Sequence, residues 1–123
     1  MVDKFKDILA KIKTERGEVY LFGLLKMDEL LEKWTVLLSA PWSTEETKKE
    51  DFEFVRDLIK NTLSSEEFSN VARLGILSKD AHLIQLLFKY QSDTEINGET
   101  KLNGNIIHQG YIFVSNPNLQ VNL

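Results

Sequence analysis

Two apolar runs, Val19 to Leu25 and Trp34 to Ala40, stand close together near the start of the chain. A charged connector, Lys26-Met27-Asp28-Glu29-Leu30-Leu31-Glu32-Lys33, separates them. Each run is too short for a membrane span and too apolar for a surface element, so the pair reads as the central strands of a core. A helical stripe also passes through Met27, Leu30, Leu31, Trp34, Leu37 and Leu38. The strand reading is preferred on three grounds: Trp34, Thr35 and Val36 favour strands, Val36 to Leu38 is apolar on every side, and Pro41 punctuates the end. The connector is expected to hold a short helical turn.

The remaining elements follow from period and caps. Phe5, Ile8, Leu9 and Ile12 recur at helical spacing and Gly17 is a C-terminal stop, which predicts a helix from about Asp3 to Arg16. Ser43-Thr44-Glu45-Glu46 reads as a capping box opening a helix whose stripe is Phe52, Val55, Leu58, Ile59 and Leu63. A second box, Ser64-Ser65-Glu66-Glu67, has Leu63 and Phe68 placed as a hydrophobic staple, which predicts a sharp turn into a short helix. Val71 to Leu77 reads as a strand, with Gly75 a bulge or a point of close approach. Ser78 or Asp80 caps a further, largely apolar helix to about Tyr90.

Beyond Gln91 the chain turns polar. Asn97-Gly98 and Asn103-Gly104 mark tight turns, and Thr94 to Ile96 with Thr100 to Leu102 suggest a small hairpin around the first. Ile106 to Ser115 is the last strong strand, and Leu119 to Leu123 an edge strand or a free arm. The pattern predicts one α+β domain over residues 1–123. Its sheet is mixed or mostly antiparallel, with about four to six strands, and three main helices pack chiefly on one face.

Composition narrows the chemistry. The 123 residues are 42% hydrophobic and 28% charged, which is ordinary for one globular domain. With no cysteine, disulfides, thiolate catalysis and cysteine-ligated metals are excluded. The opening residues mix both charge signs, unlike a secretory or transit segment, and no run approaches the length of a bilayer span, so a cytoplasmic location and no membrane are expected. A net charge of −4 disfavours nucleic acid. The first sixteen residues are rich in lysine, whereas Glu45 to Glu67 holds eight acids against Lys48, Lys49, Arg56 and Lys60. Such helices either attract each other between subunits or present solvated faces.

Signatures of catalysis are weak. His82 and His108 lie on different elements, and no Gly-rich phosphate loop or GxSxG elbow is present. Asp28, Glu29 and Glu32, flanked by Lys26 and Lys33, offer the residue types of a divalent-metal nuclease, and Glu99-Thr100-Lys101 an isolated E-x-K. Trp34, Trp42, Tyr20 and Tyr111 are candidates to line a groove at the rim of the sheet, with Trp42 the foremost contact residue.

No stretch carries a family signature. The leading expectation is a non-catalytic protein-interaction or oligomerisation module, a homodimer or a binder of another protein. Its candidate contacts are Trp42, Tyr111, His108, Asp28 and Glu29, with no catalytic residue, metal or cofactor assigned. The alternatives are a metal-dependent hydrolase or nuclease at Asp28, Glu29 and Glu32, and a nucleotide-like ligand pocket between the sheet and the Lys79 to Tyr90 helix.

Overall fold

The computed structural model describes residues 1–27, 33–102 and 104–120. In chain order they form α1 (Val2–Glu15), β1 (Leu21–Met27), β2 (Trp34–Ser39), α2 (Lys48–Thr62), α3 (Ser65–Ser69), β3 (Val71–Ile76), α4 (His82–Leu87), β4 (Thr94–Leu102) and β5 (Asn105–Ser115). One open five-stranded sheet runs in the order β3-β2-β1-β5-β4. β2 and β3 are parallel and the other neighbours antiparallel. The fold is α+β, as the pattern predicts.

The two early apolar runs supply β1 and β2, paired from Leu21↔Ser39 to Lys26↔Trp34. Phe22, Leu24, Val36 and Leu38 pack on the side of α1, α2 and α3, while Leu21, Leu25 and Leu37 pack with Ile84 and Leu87 of α4. A sheet covered on both faces needs apolar side chains in both directions, which is why these runs are unbroken. The helical turn expected in the connector falls on 28–32, outside the described residues.

α1 lays Phe5, Ile8, Leu9 and Ile12 on the sheet. It ends where Arg16 and Gly17 donate back to the carbonyls of Ile12 and Lys13, at 2.8 and 3.0 Å. Gly17 sits at φ 110°, a conformation that a side chain would oppose.

The first capping box is displaced. Thr44 and Thr47, not Ser43 and Glu46, exchange the bonds: the Thr44 amide donates to Thr47 Oγ1 at 3.0 Å and the Thr47 amide to Thr44 Oγ1 at 3.3 Å. Ser43 is held in the preceding turn by its amide bond to the Ala40 carbonyl. α2 therefore begins only at Lys48.

The second box forms as predicted. Glu67 donates its amide to Ser64 Oγ at 3.1 Å and accepts the Ser64 amide on its carboxylate at 2.9 Å. Lys4 of α1 also pairs with that carboxylate. The Lys4 hydrogen bond, then the Ser64 backbone bond, hold the Glu67 carboxyl at about 2 against an ordinary 4.5. A depressed carboxylate stabilises the fold fully above its unfolded pKa and loses that contribution as pH falls through its folded one. The stability difference between the native chain and Glu67→Gln is thus expected to be complete at about pH 6 and to shrink between about 4.5 and 2. Urea unfolding across that range measures it, and a difference independent of pH would contradict the clasp.

Three further expectations are corrected. α4 spans only His82–Leu87 with Ala81 at its N-cap. Ser78 Oγ instead accepts the Asp80 amide in a turn, and Lys89 and Tyr90 donate to carbonyls three residues back, tightening the chain out of the helix. The small hairpin is absent: Thr94 to Leu102 is one strand, with a bulge between Asn97 and Thr100 and Gly98 at φ 78°. The reversal comes later, where Leu102 pairs with Asn105 and Gly104 has φ 78°. Leu119 and Gln120 are not strand; the Leu119 amide closes a turn on the Asn116 carbonyl, and 121–123 lie outside the described residues.

The charge asymmetry is spent within the chain at two places. Lys4 meets Glu67, and Arg16 meets Asp51 at 2.8 Å. Attraction between subunits is not needed to account for these four groups.

Candidate functional site

The sheet has two edges, and they differ. β4 is blunted by its bulge and by exposed Glu95, Asn97, Glu99 and Lys101. β3 carries a single charged residue, Arg73, and its Ala72 is exposed.

Which backbone groups of β3 are free follows from one bond. The Leu77 amide donates to the Leu38 carbonyl of β2 at 2.9 Å. Amides alternate in direction along a strand, so Gly75 and Arg73 also address β2 while Ile76 and Leu74 point away from the sheet. Those outward groups are the positions at which another strand can pair.

A hollow lies on each face of this edge. On the side of α2 and α3, Phe52, Ile59, Phe68, Val71 and Leu74 enclose ≈ 170 Å³, with Arg56 at the rim. On the side of α4, Met27, Thr35, Leu37, Gly75, Leu77 and Leu83 line ≈ 480 Å³. Phe52, Ala72, Arg73 and Leu74 belong to both, so the hollows run together around the edge of the strand. The second hollow is bounded by Leu83 of α4, whose buried neighbours Ile84 and Leu87 pack in one cluster with Leu37 of β2 and with residues of β1, β5 and β4. Thr35 and Ser39, 4% and 1% exposed, have no hydrogen-bond partner for their hydroxyls among the described residues.

The residues singled out from sequence do not converge. Trp42 donates its indole N–H to the Glu18 carbonyl at 3.1 Å and lines a hollow of ≈ 310 Å³ with Arg16, Gly17 and Leu119. It ties the exit of α1 to the loop after β2. Tyr111 packs on the helical face, its ring 4.7 Å from that of Phe113 and 5.6 Å from Lys6 Nζ. His108 is exposed on β5, between the partners of Lys26 and Met27. Trp42 follows the Ser39 end of the sheet, level with Ser115, so His108 is about 24 Å of strand away. Asp28, Glu29 and Glu32 lie outside the described residues.

The other aromatics are engaged singly, Trp34 under Lys26 at 4.7 Å and Tyr20 under Lys79 at 4.9 Å. Glu99 and Lys101 are exposed on the blunted edge and His82 on α4. Among the described residues, no three His, Asp or Glu are grouped to hold a metal, and no helix is long and apolar enough to cross a membrane.

A polar cleft of ≈ 290 Å³ lies at the carboxyl ends of β2 and β3, lined by Ser43, Thr44, Lys48, Ser78 and Lys79. Parallel strands commonly bind ligands there, but Glu45 shares the lining and Lys79 is drawn over Tyr20.

Sequence reasoning offered Leu119 to Leu123 as an edge strand or a free arm and found the β3 strand without marking it as an edge. The available signal was the β2–α2–β3 succession, a parallel crossover whose last strand has no sequence neighbour beyond it. No protein-family model, curated protein or solved structure matches the chain.

Proposed function

We propose that this chain is a protein-interaction module that takes up an extended segment of a partner as a sixth strand beside β3. The observation that carries the reading is the pair of apolar hollows beside β3, a strand that among the described residues is paired on one side only. An added strand offers alternate side chains to alternate faces, so main-chain bonds supply affinity and the hollows specificity. The blunted β4 edge leaves β3 as the one suited to pairing. The cytoplasmic setting expected from the sequence is part of the proposal. Self-association uses the same edge, with the strand supplied by a second copy.

A displayed library of random decapeptides, selected on the immobilised chain, tests the reading. Enriched peptides are expected to alternate apolar and polar residues and to slow amide exchange at Leu74 and Ile76. Leu74→Pro removes an outward amide without touching the β2 ladder, and Ala72→Lys places a charge on the edge. Each is expected to weaken peptide binding at least about tenfold with the fold retained, and to abolish any dimer seen in sedimentation. Ala72 is exposed, so its variant remains informative if the proline variant unfolds. Failure to enrich any peptide, or binding indifferent to Ala72→Lys, rejects the proposal.

A further inference from the structure

We infer that the cleft at the carboxyl ends of β2 and β3 binds a small phosphate monoester, its phosphoryl group held by Lys48 and Lys79. The inference does not rest on strand addition at β3. Topology opens the cleft. β2 leads into α2, whose Val55 and Ile59 pack on one face of the sheet, and β3 leads towards α4, whose Ile84 and Leu87 pack on the other. Two neighbouring parallel strands whose connections part to opposite faces leave a crevice beyond their ends, the usual place for a ligand in an open sheet. The result is a hollow of ≈ 290 Å³ between residues 40–48 and 76–79. That is close to the lower bound of roughly 300–1,000 Å³ for small-molecule sites, so its occupant is small.

The lining selects the chemistry. Lys48 and Lys79 both border the cleft, in a chain of net charge −4. Among the described residues neither lysine is ion-paired: Lys48 is exposed, and Lys79 Nζ lies 4.9 Å from the Tyr20 ring centroid. That contact draws the Lys79 ammonium to the wall without neutralising its charge. Ser43 and Ser78 add hydroxyls whose protons no described residue accepts; Ser78 Oγ only accepts, from the Asp80 amide at 3.2 Å. A phosphate monoester brings three strong acceptor oxygens and a charge of about −1.5 to −2 at pH 7. Two ammonium groups and two hydroxyls match it better than they match a carboxylate, with its two oxygens and single charge. Glu45 is the one carboxylate among these lining residues. It repels a bare anion and accepts from a hydroxyl, so the esterified part of the ligand carries a hydroxyl.

The test is an amide NMR titration of the isotope-labelled chain with glycerol phosphate, inorganic phosphate and glycerol. Glycerol phosphate is expected to give saturable shifts centred on residues 43–48 and 77–79, and glycerol none. Inorganic phosphate is expected to bind about tenfold more weakly, for want of the hydroxyl bond to Glu45. Lys48→Ala and Lys79→Ala are each expected to weaken glycerol phosphate about tenfold. Lys60→Ala removes a charge from the last turn of the same helix, away from the cleft, and is expected to weaken it by less than about twofold. Glu45→Gln is expected to narrow the gap between the two anions by tightening inorganic phosphate. Lys48 is exposed, so its variant decides if Lys79→Ala, which loses the Tyr20 contact, fails to fold.

Equal losses on Lys48→Ala and Lys60→Ala, shifts centred away from the cleft, or no saturable shift with either anion overturn the inference. Inorganic phosphate bound as tightly as glycerol phosphate overturns it in favour of a plain anion site. Each of these results leaves strand addition at β3 standing.

Discussion

Replacing Phe22 by alanine is expected to lower the free energy of unfolding by about 3–5 kcal/mol, a large part of the roughly 5–15 kcal/mol available to a domain. Phe22 is fully buried on the central strand β1, between α1 and β5. Its ring centroid is 6.2 Å from that of Phe5 and 5.5 Å from that of Phe113, and Phe5 and Phe113 are themselves 6.2 Å apart. Truncation removes one member of a mutually packed trio whose other members are anchored on separate elements. The neighbours cannot close the gap without moving α1 away from β5, so the transfer and cavity contributions add. Urea titration followed by circular dichroism measures the effect, with the midpoint falling and the slope unchanged. A loss under about 1 kcal/mol would falsify the view that α1 docks rigidly through this cluster.

Arg16→Ala is expected to cost about 3 kcal/mol, more than Asp51→Asn at the other end of the same contact. Asp51 is 0% exposed and Arg16 36%. Losing Asp51 leaves a guanidinium that still reaches water, whereas losing Arg16 strands a carboxylate in the interior. The Thr47 hydroxyl, which donates to Asp51 Oδ2 at 2.7 Å, then offers the only remaining donor shown for it among the described residues. Arg16 also lies 4.4 Å from the Phe54 ring centroid, so its removal loses a second contact on α2. The partial exposure of Arg16 keeps the figure at the lower end of the roughly 3–5 kcal/mol range for broken buried pairs. Unfolding of both single variants and the double variant gives the coupling directly. Equal costs at the two positions contradict the asymmetry of burial.

Much of the fold was legible because its signals are local. Phe5, Ile8, Leu9 and Ile12 announce α1 by spacing alone, and the Ser64–Glu67 box forms where its residues stand. The displaced start of α2 shows the limit of such reading. Ser43 and Thr44 are both competent caps, and a turn at Ala40 to Ser43 decided between them. Asn97-Gly98 is likewise as suitable for a bulge as for a hairpin, and pairing with Gln109 through β5 selects the bulge.

The candidate site was less legible. Trp42 reads as a rim contact by its position after Pro41; its indole bonds the Glu18 carbonyl and it lines a hollow separate from those at β3. Thr35 reads only as a strand-favouring residue, because a missing hydrogen-bond partner is a property of its surroundings and not of threonine. Gly75 was the nearest hint, a point of close approach whose meaning needed the strand beside it.

By itself, then, the order of amino acids determined α1, the Ser64–Glu67 cap, the early strand pair and the requirement that β1 and β2 be covered on two faces, since period and hydrophobicity are properties of neighbours along a chain. Which strand ends at the margin of the sheet was settled by tertiary structure alone. So was the placing of α4 on the face opposite α1 and α2, where Ile84 and Leu87 pack with Leu21, Leu25 and Leu37. Strand order and coverage come from contacts between distant segments, and only their assembly put β3 at the edge of the sheet, paired with β2 alone among the described residues.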